Sequence, residues 1–248
     1  MSATKPILFS GPLVRALLAG TKTETRRPVK PQPPQPEALL ALGALQASCP
    51  SQPKALADTP DWFYSGSLWA ARDLMAGREP VWRSPFGSAG TLLWVRETTA
   101  GVDTLMDGYA KDPPNLIAWR ADMSVRDIVS GWEPEDTVDW NFGHPSVKWT
   151  PSIHMRRDAC RLVLRVESVG VERVQAIDED GARAEGVSDE AAMALNDEGS
   201  PDYTLAFANL WDGIYSGQGL GWKANPWVWV VRFSVAADTH AAAQGLLQ

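Results

Sequence analysis

LLAGTKTETRRPVK, residues 17–30, joins a helix-like run to a strand-like one and packs five charged side chains into the junction (Lys22, Glu24, Arg26, Arg27 and Lys30). To its left, SGPLVRALLAG places Leu13, Val14, Leu17 and Leu18 at helical spacing, with Ser10 or Gly11 as the N-cap and Gly20 as the terminator. That predicts a helix of about two turns. To its right, Thr23, Thr25 and Arg27 alternate with Glu24 and Arg26, the two-residue period of a strand, until Pro28 interrupts it. The junction therefore lies where a helix turns into a strand, and Gly20 is the residue that permits the bend.

Outward from this junction, ordered blocks alternate with long irregular stretches. Residues from about 31 to 89 are rich in proline, alanine and serine with scattered tryptophans, and read as an inserted loop holding a short helix or two. GTLLWVRETTA (90–100) reads as a buried strand, and a second insertion follows from about 102 to 148. RLVLRVESVGVERV (161–174) predicts one or two strands from the alternation of Leu162, Leu164 and Val166. AIDEDGARAEGV (176–187) predicts a short helix with an acidic cap, ended by Gly186. DYTLAFANLWDGIYS (202–216) is a further amphipathic helix, NPWVWVVRFSV (225–235) is a closing strand, and the tail from about 238 is expected to be flexible. With no βαβ alternation, the order predicts one α+β domain over 1–248, a small β-barrel with flanking helices and two long inserted loops.

Composition narrows the partners. A chain of 248 residues with 44% hydrophobic content buries a substantial core. Its net charge of -7 opposes general coating of a polyanion. Residues 1–56 carry seven basic against two acidic side chains, or +5, which leaves -12 for the rest, so the positive end is local and contains the junction. His144, His154 and His240 are scattered, so neither a metal nor another cofactor is expected. Cys49 and Cys160 form no motif, and no run reaches the length of a membrane span, which together favour a reducing cytoplasm and no membrane partner.

Two readings of the junction stand side by side. In the ordinary one, Gly20 caps a helix and the charges protect an exposed edge strand. In the other, Thr25 is a nucleophile and Lys22 its base, the amine kept neutral by desolvation and by the charge of Arg26 and Arg27. Lys22 and Thr25 are three residues apart, which suits a bent chain and not a regular strand.

The residues Gly20, Lys22 and Arg27 resemble the G-x-K-x-x-E-x-R signature of the ASCH family, whose fold is a PUA-like β-barrel. Thr25 stands at the glutamate position, as in the small ASCH amidohydrolases acting on N4-acetylcytidine. GTLLWVRE, ARAEGV and PWVWVVRF are similar to further family blocks, and ILFSGPLVRALLAGTKT with PSIHM resembles the larger phage and prophage members. The resemblance implies a PUA-like barrel and a catalytic trio of Lys22, Thr25 and Glu185 that removes an acyl group from a modified pyrimidine nucleoside or nucleotide. It implies the cytoplasm of a host cell if the gene is phage-borne. Arg27 would pair with Glu24 or Glu185 or steady an oxyanion. Ser10, Arg15, Arg96, Glu97, Trp149, His154 and Asn225 are the remaining substrate-binding candidates, each with a plainer role in a cap, ion pair, core or turn. The alternatives are a module that binds RNA, single-stranded nucleic acid or a modified DNA base, and a ribonuclease.

Overall fold

In the structure, a computed structural model, residues 4–32, 62–65, 68–71, 81–101, 116–127, 148–194 and 200–247 are described. The chain begins with a strand that the sequence reading did not anticipate, β1 (Thr4–Leu8). Pro6 breaks its alternation, and β1 tolerates the missing N–H because it is an edge strand. Helix α1 (Gly11–Leu18) carries Pro12 in its first turn, where no intrahelical donor is lost, and buries Val14 and Leu17. Gly20, at φ 73°, ends it, and Ala16 O accepts from both Thr21 N and Lys22 N as the chain reverses into β2 (Glu24–Pro28).

The described parts of the two long insertions contain strands as well as turns. β3 (Trp62–Ser65), β4 (Leu68–Ala71) and β5 (Val81–Arg83) make one antiparallel sheet. β7 (Thr99–Gly101), β8 (Leu116–Trp119) and β9 (Ser124–Asp127) make another. No helix occurs among the described residues of 31–89, and the rest of that stretch, Cys49 included, lies outside them.

β6 (Leu92–Arg96) pairs parallel with β1 and antiparallel with β10 (Val163–Arg173), a single long strand. β10 continues to β11 (Trp227–Ala237) and β11 to β2, giving the order β1-β6-β10-β11-β2. Among the described residues this sheet does not close into a barrel. β1 and β2 are its two edges, and the space between them is crossed by a side chain, Arg27 Nη2 donating to Leu8 O at 2.6 Å. α1 links these two edges in sequence and packs Val14 and Leu17 beneath them, which does not require the edges to pair.

Strand alternation then divides the core. Trp227, Trp229, Val231 and Phe233 face Ile7, Phe9, Leu17 and Leu164, while Val228 and Val230 face the opposite side. That opposite side is covered by α2 (Glu179–Ala184), α3 (Asp189–Met193) and α4 (Tyr203–Tyr215), with Phe207 and Trp211 in the packing. Each helix is N-capped by its own acceptor, Asp178, Ser188 and Asp202 respectively, worth about 1 kcal/mol apiece. The tail expected to be flexible instead forms α5 (His240–Leu247) after β11. Ala243 and Leu247 bury against Leu92, Val163 and Ala237, and Arg157 Nη2 holds Leu247 O at 2.7 Å.

Candidate functional site

Lys22 sits where three local rules meet. The left-handed turn at Gly20 reverses the chain, and Thr23 N donates to Ala184 O at 2.9 Å, stitching the start of β2 to the end of α2. Gly186, at φ 86°, follows α2, and a Cβ there would lie 3.2 Å from Lys22 Cβ and 3.0 Å from Ala16 Cβ. Glycine is required by the backbone angle and by the close approach together. The outcome is that Glu185, the residue after α2, lies against Lys22.

The Lys22 side chain is buried and its Nζ has three acceptors: Glu185 Oε2 at 2.8 Å, Glu185 O at 2.6 Å and Glu24 O at 2.8 Å. Nζ also lies 5.3 Å from the centre of the Phe9 ring. Burial pulls the Lys22 pKa below the ordinary lysine value, against the opposing pull of Glu185 and with the help of the positive charges on Arg27 and Arg26. The second oxygen of Glu185, Oε1, accepts from the backbone N of Arg26.

Arg26 extends this pair into a network. Its Nε donates to Glu172 Oε1 at 2.7 Å, and its Nη1 stands 2.6 Å from Glu24 Oε1 and 3.6 Å from Glu185 Oε1 as charge contacts. Glu24 Oε2 accepts from Arg232 Nε at 2.6 Å, across the β2–β11 pairing in which the two residues are opposite each other. Burial alone would lower the Arg26 pKa, but the three carboxylates outweigh it and hold the guanidinium charged. Lys22, Glu24, Arg26, Glu172 and Arg232 all line a cleft of about 640 Å³, with Glu167, Asp178 and Asp180 at its sides.

The three residues expected to form a catalytic trio are thus brought together in part. Lys22 and Glu185 meet, whereas the buried Thr25 makes no side-chain hydrogen bond to either among the described residues. Alternation explains the difference, since Thr25 and Arg27 project to one face of β2 and Glu24 and Arg26 to the other. For the same reason the carboxylate pairing expected of Arg27 is made by Arg26. Arg27 stands over Phe9, at 5.3 Å, and bonds Leu8 O and Tyr215 Oη.

The other candidates lie apart from this cleft. Ser10 and Arg15 border a different cavity of about 940 Å³ between α1, α3 and α4, and Arg15 Nη1 bonds Ala121 O at 2.8 Å. Ser10 holds the N-cap position of α1 without a side-chain bond. Arg96 lies over Trp94 at 5.2 Å and bonds Ile153 O and Met155 O. Glu97, expected to orient a substrate, is buried in a bidentate pair with Arg161, both bonds at 2.9 Å. Arg161 Nη1 also reaches Asp122 Oδ2 at 2.7 Å and Ser124 Oγ at 2.8 Å, under the Trp119 ring at 5.0 Å. This second network joins the end of β6 to the β7–β9 sheet. Trp149 is half-buried with Arg120 over its ring at 5.4 Å, and His154 is exposed on a 3-10 turn. Asn225 adopts a left-handed turn, φ 44°, in which its Oδ1 accepts from Gln175 N and its O from Arg173.

Glu172 and Arg232 were missed as site residues, and Arg26 and Glu24 were named only as a source of charge beside Lys22 and as a partner for Arg27. The alternation of Glu24 with Thr25 was a usable signal for a shared Glu24 and Arg26 face. Arg232 and Glu172 required the strand register. Cys160 is buried, its thiol pushed up to about 12 by burial, which keeps it protonated and unreactive at neutral pH. Among the described residues no group of three or more histidine, cysteine, aspartate or glutamate side chains is placed to hold a metal ion, and no helix is long and apolar enough to cross a membrane.

No family model matches the chain, and no curated protein matches it. Among solved structures, the chain is similar to the crystal structure of an Enterococcus faecalis V583 protein described with the family model DUF984, at 9% identity and a TM-score of 0.37, covering 96% of this chain and 82% of that one.

Proposed function

We propose that the protein is an amidohydrolase of the ASCH kind, its sheet the core of a PUA-like barrel, that removes an acyl group from a modified pyrimidine nucleoside or nucleotide such as N4-acetylcytidine. The observation that carries this reading is the meeting of the buried side chains of Lys22 and Glu185, 163 residues apart in sequence, at 2.8 Å. A buried lysine with a depressed pKa beside a carboxylate is an arrangement that moves protons.

The chemistry follows from that pair. Neutral Lys22 takes the hydroxyl proton of Thr25 while Thr25 Oγ1 bonds to the acyl carbon. Thr25 is buried, does not line the cleft and has no hydrogen bond to Lys22 in the resting arrangement, so this step requires a rearrangement of β2 on substrate binding that brings the hydroxyl to Lys22 and to the acyl carbon. The positive charge of Arg27, on the same face of β2 as Thr25, favours the oxyanion that forms. When the carbon–nitrogen bond breaks, the proton on Lys22 passes through Glu185 to the leaving exocyclic amine. Water then cleaves the Thr25 ester, which releases the carboxylic acid and restores the hydroxyl.

Five carboxylates line the cleft (Glu24, Glu167, Glu172, Asp178 and Asp180) against three cations (Lys22, Arg26 and Arg232), which disfavours a run of phosphates there and supports a small substrate. Purified Lys22→Ala and Thr25→Ala are expected to release no cytidine from N4-acetylcytidine while keeping the wild-type circular dichroism spectrum. Undiminished turnover in either variant would remove the mechanism. A second reading, binding of RNA or a modified DNA base, draws on Arg120 over the half-buried Trp149 beside exposed Lys148. Under it, single-stranded nucleic acid binds with a steep salt dependence and no acylated nucleoside is turned over.

A further inference from the structure

We propose that Arg26 is a positioning residue of this site: by sharing the Glu185 carboxylate with Lys22, it sets how readily Lys22 gives up its proton. The proposal rests on the amidohydrolase reading for its consequence in turnover, but its physical content is a property of the network alone. Glu185 divides its oxygens between two cations, Oε2 facing Lys22 Nζ at 2.8 Å and Oε1 taking the Arg26 backbone N–H with the guanidinium Nη1 at 3.6 Å. A carboxylate against an ammonium favours the protonated amine, and a fixed positive charge on its other oxygen draws part of that favour away. Arginine suits the task because it does not lose its proton at any pH the protein meets.

The network is balanced, which makes each member's effect legible. Lys22, Arg26 and Arg232 stand against Glu185, Glu24 and Glu172, joined end to end by contacts of 2.6 to 3.6 Å. The charged groups facing Lys22 are Glu185 from the end of α2 and Arg26 and Arg27 from β2, with the uncharged Phe9 ring on the β1–α1 side. Behind Arg26 stand Glu172 of β10 and Glu24 of β2, with Arg232 of β11 beyond Glu24, and Asp178 and Asp180 lie on the cleft wall. Arg232 is the member most open to water, its side chain 62% exposed, and Glu172 follows at 29%, while Lys22, Glu24, Arg26 and Glu185 are buried. Removing the charge of Arg26 or of Glu172 must therefore act on Lys22 in opposite directions. Without the Arg26 charge, Glu185 faces Lys22 as its one cationic neighbour in this network, and Lys22 holds its proton more tightly. Without Glu172, Arg26 bears more strongly on Glu185, and Lys22 lets its proton go more readily.

The test is a titration of Lys22 by NMR in protein labelled at the lysine ε-carbons, with Lys22→Met to identify the resonance, beside the pH dependence of N4-acetylcytidine hydrolysis. Arg26→Gln keeps the backbone N–H on Glu185 and is expected to move the Lys22 titration to higher pH. It should lower kcat/KM at pH 7 about tenfold, as a one-unit displacement of the base limb requires. Arg26→Lys is expected to restore the wild-type titration, and Glu172→Gln to move it to lower pH. Titrations that coincide with wild type in folded Arg26→Gln and Glu172→Gln overturn the proposal. If Arg26→Gln does not fold, the exposed-edge variant Glu172→Gln decides alone, and an unmoved Lys22 sinks the idea. If the wild-type protein releases no cytidine, the amidohydrolase reading fails while the NMR arm still decides the role of Arg26.

Discussion

Two networks of buried charge are built from nearly the same parts. One centres on Arg26 and joins Lys22, Glu185, Glu24, Glu172 and Arg232; the other centres on Arg161 and joins Glu97, Asp122 and Ser124. Both have a member at the water's edge, Glu172 with its side chain 29% exposed and Asp122 with 33%. They differ in what fills the space beside them. Arg161 spends its fork on two parallel bonds to Glu97 and lies under Trp119, so the geometry joins two sheets. Arg26 instead borders a cleft of about 640 Å³, and the cation next to it is a lysine, whose proton is removable. Buried charge by itself therefore does not mark a site. A removable proton beside open space does.

The sharpest way to break that contrast is to remove the lysine. Lys22→Met is expected to lower kcat for N4-acetylcytidine by a factor of about 10² to 10⁴, the usual worth of a positioned base. Its stability should fall by less than that of a variant lacking Arg161, because Arg26 N–H and the guanidinium still face the Glu185 carboxylate. Turnover that survives in Lys22→Met would make the two networks alike, both of them structural. The matching variant, Arg161→Met, leaves Glu97 buried with no partner for its two oxygens. It is expected to cost about 3 to 5 kcal/mol in urea unfolding, with kcat unchanged in the protein that remains folded. A loss below about 1 kcal/mol would show that the sheet junction does not depend on this pair.

A smaller effect comes from pH. Folding lowers the Lys22 pKa, so between the folded and unfolded values the unfolded chain binds more protons, and this part of the stability rises with pH through that window. Hydrolysis should rise with pH in the same sense, along a limb below the ordinary lysine value of about 10.4. A rate that is flat across that range would remove Lys22 as the base.

How far the sequence carried this comparison is clear from particular residues. Alternation in 162–166 and 227–231 placed β10 and β11, and Gly20 and Gly186 correctly marked two turns that need a left-handed backbone. β1 stayed hidden because Pro6 interrupts its period. α5 was taken for a flexible tail although Ala243 and Leu247 stand four apart on one face; its alanines give weak hydrophobic contrast, and only packing against β11 settles it. Whether β1 and β2 close a barrel is a matter of long-range pairing that no local pattern encodes. At the site, Lys22 was named from its place beside Thr25, Arg26 and Arg27 in the junction, and Glu185 from a resemblance. The choice of Arg26 over its neighbour Arg27 depends on which face of β2 meets α2, and that follows from the register with β11.

The mildest prediction concerns the edge of the Arg161 network. Burial alone would raise the Asp122 pKa, but the hydrogen bond and charge of Arg161, with the bonds from Ser124, outweigh it and hold the carboxyl below its usual value. A depressed carboxyl contributes stability above its unfolded pKa of about 4, and that contribution is lost as pH falls through the folded value. The side chain is a third exposed, so screening limits the pair to less than about 1 kcal/mol. The stability difference between wild type and Asp122→Asn, measured by urea unfolding from pH 7 down to pH 3, should therefore start below about 1 kcal/mol and shrink towards zero. At the corresponding edge of the other network, Glu172→Gln should leave a mark on the Lys22 titration that no change in stability reproduces. A difference for Asp122→Asn that grows on acidification would mean that Arg161 does not hold this carboxylate ionised, and the comparison between the two edges would fail at its weaker end.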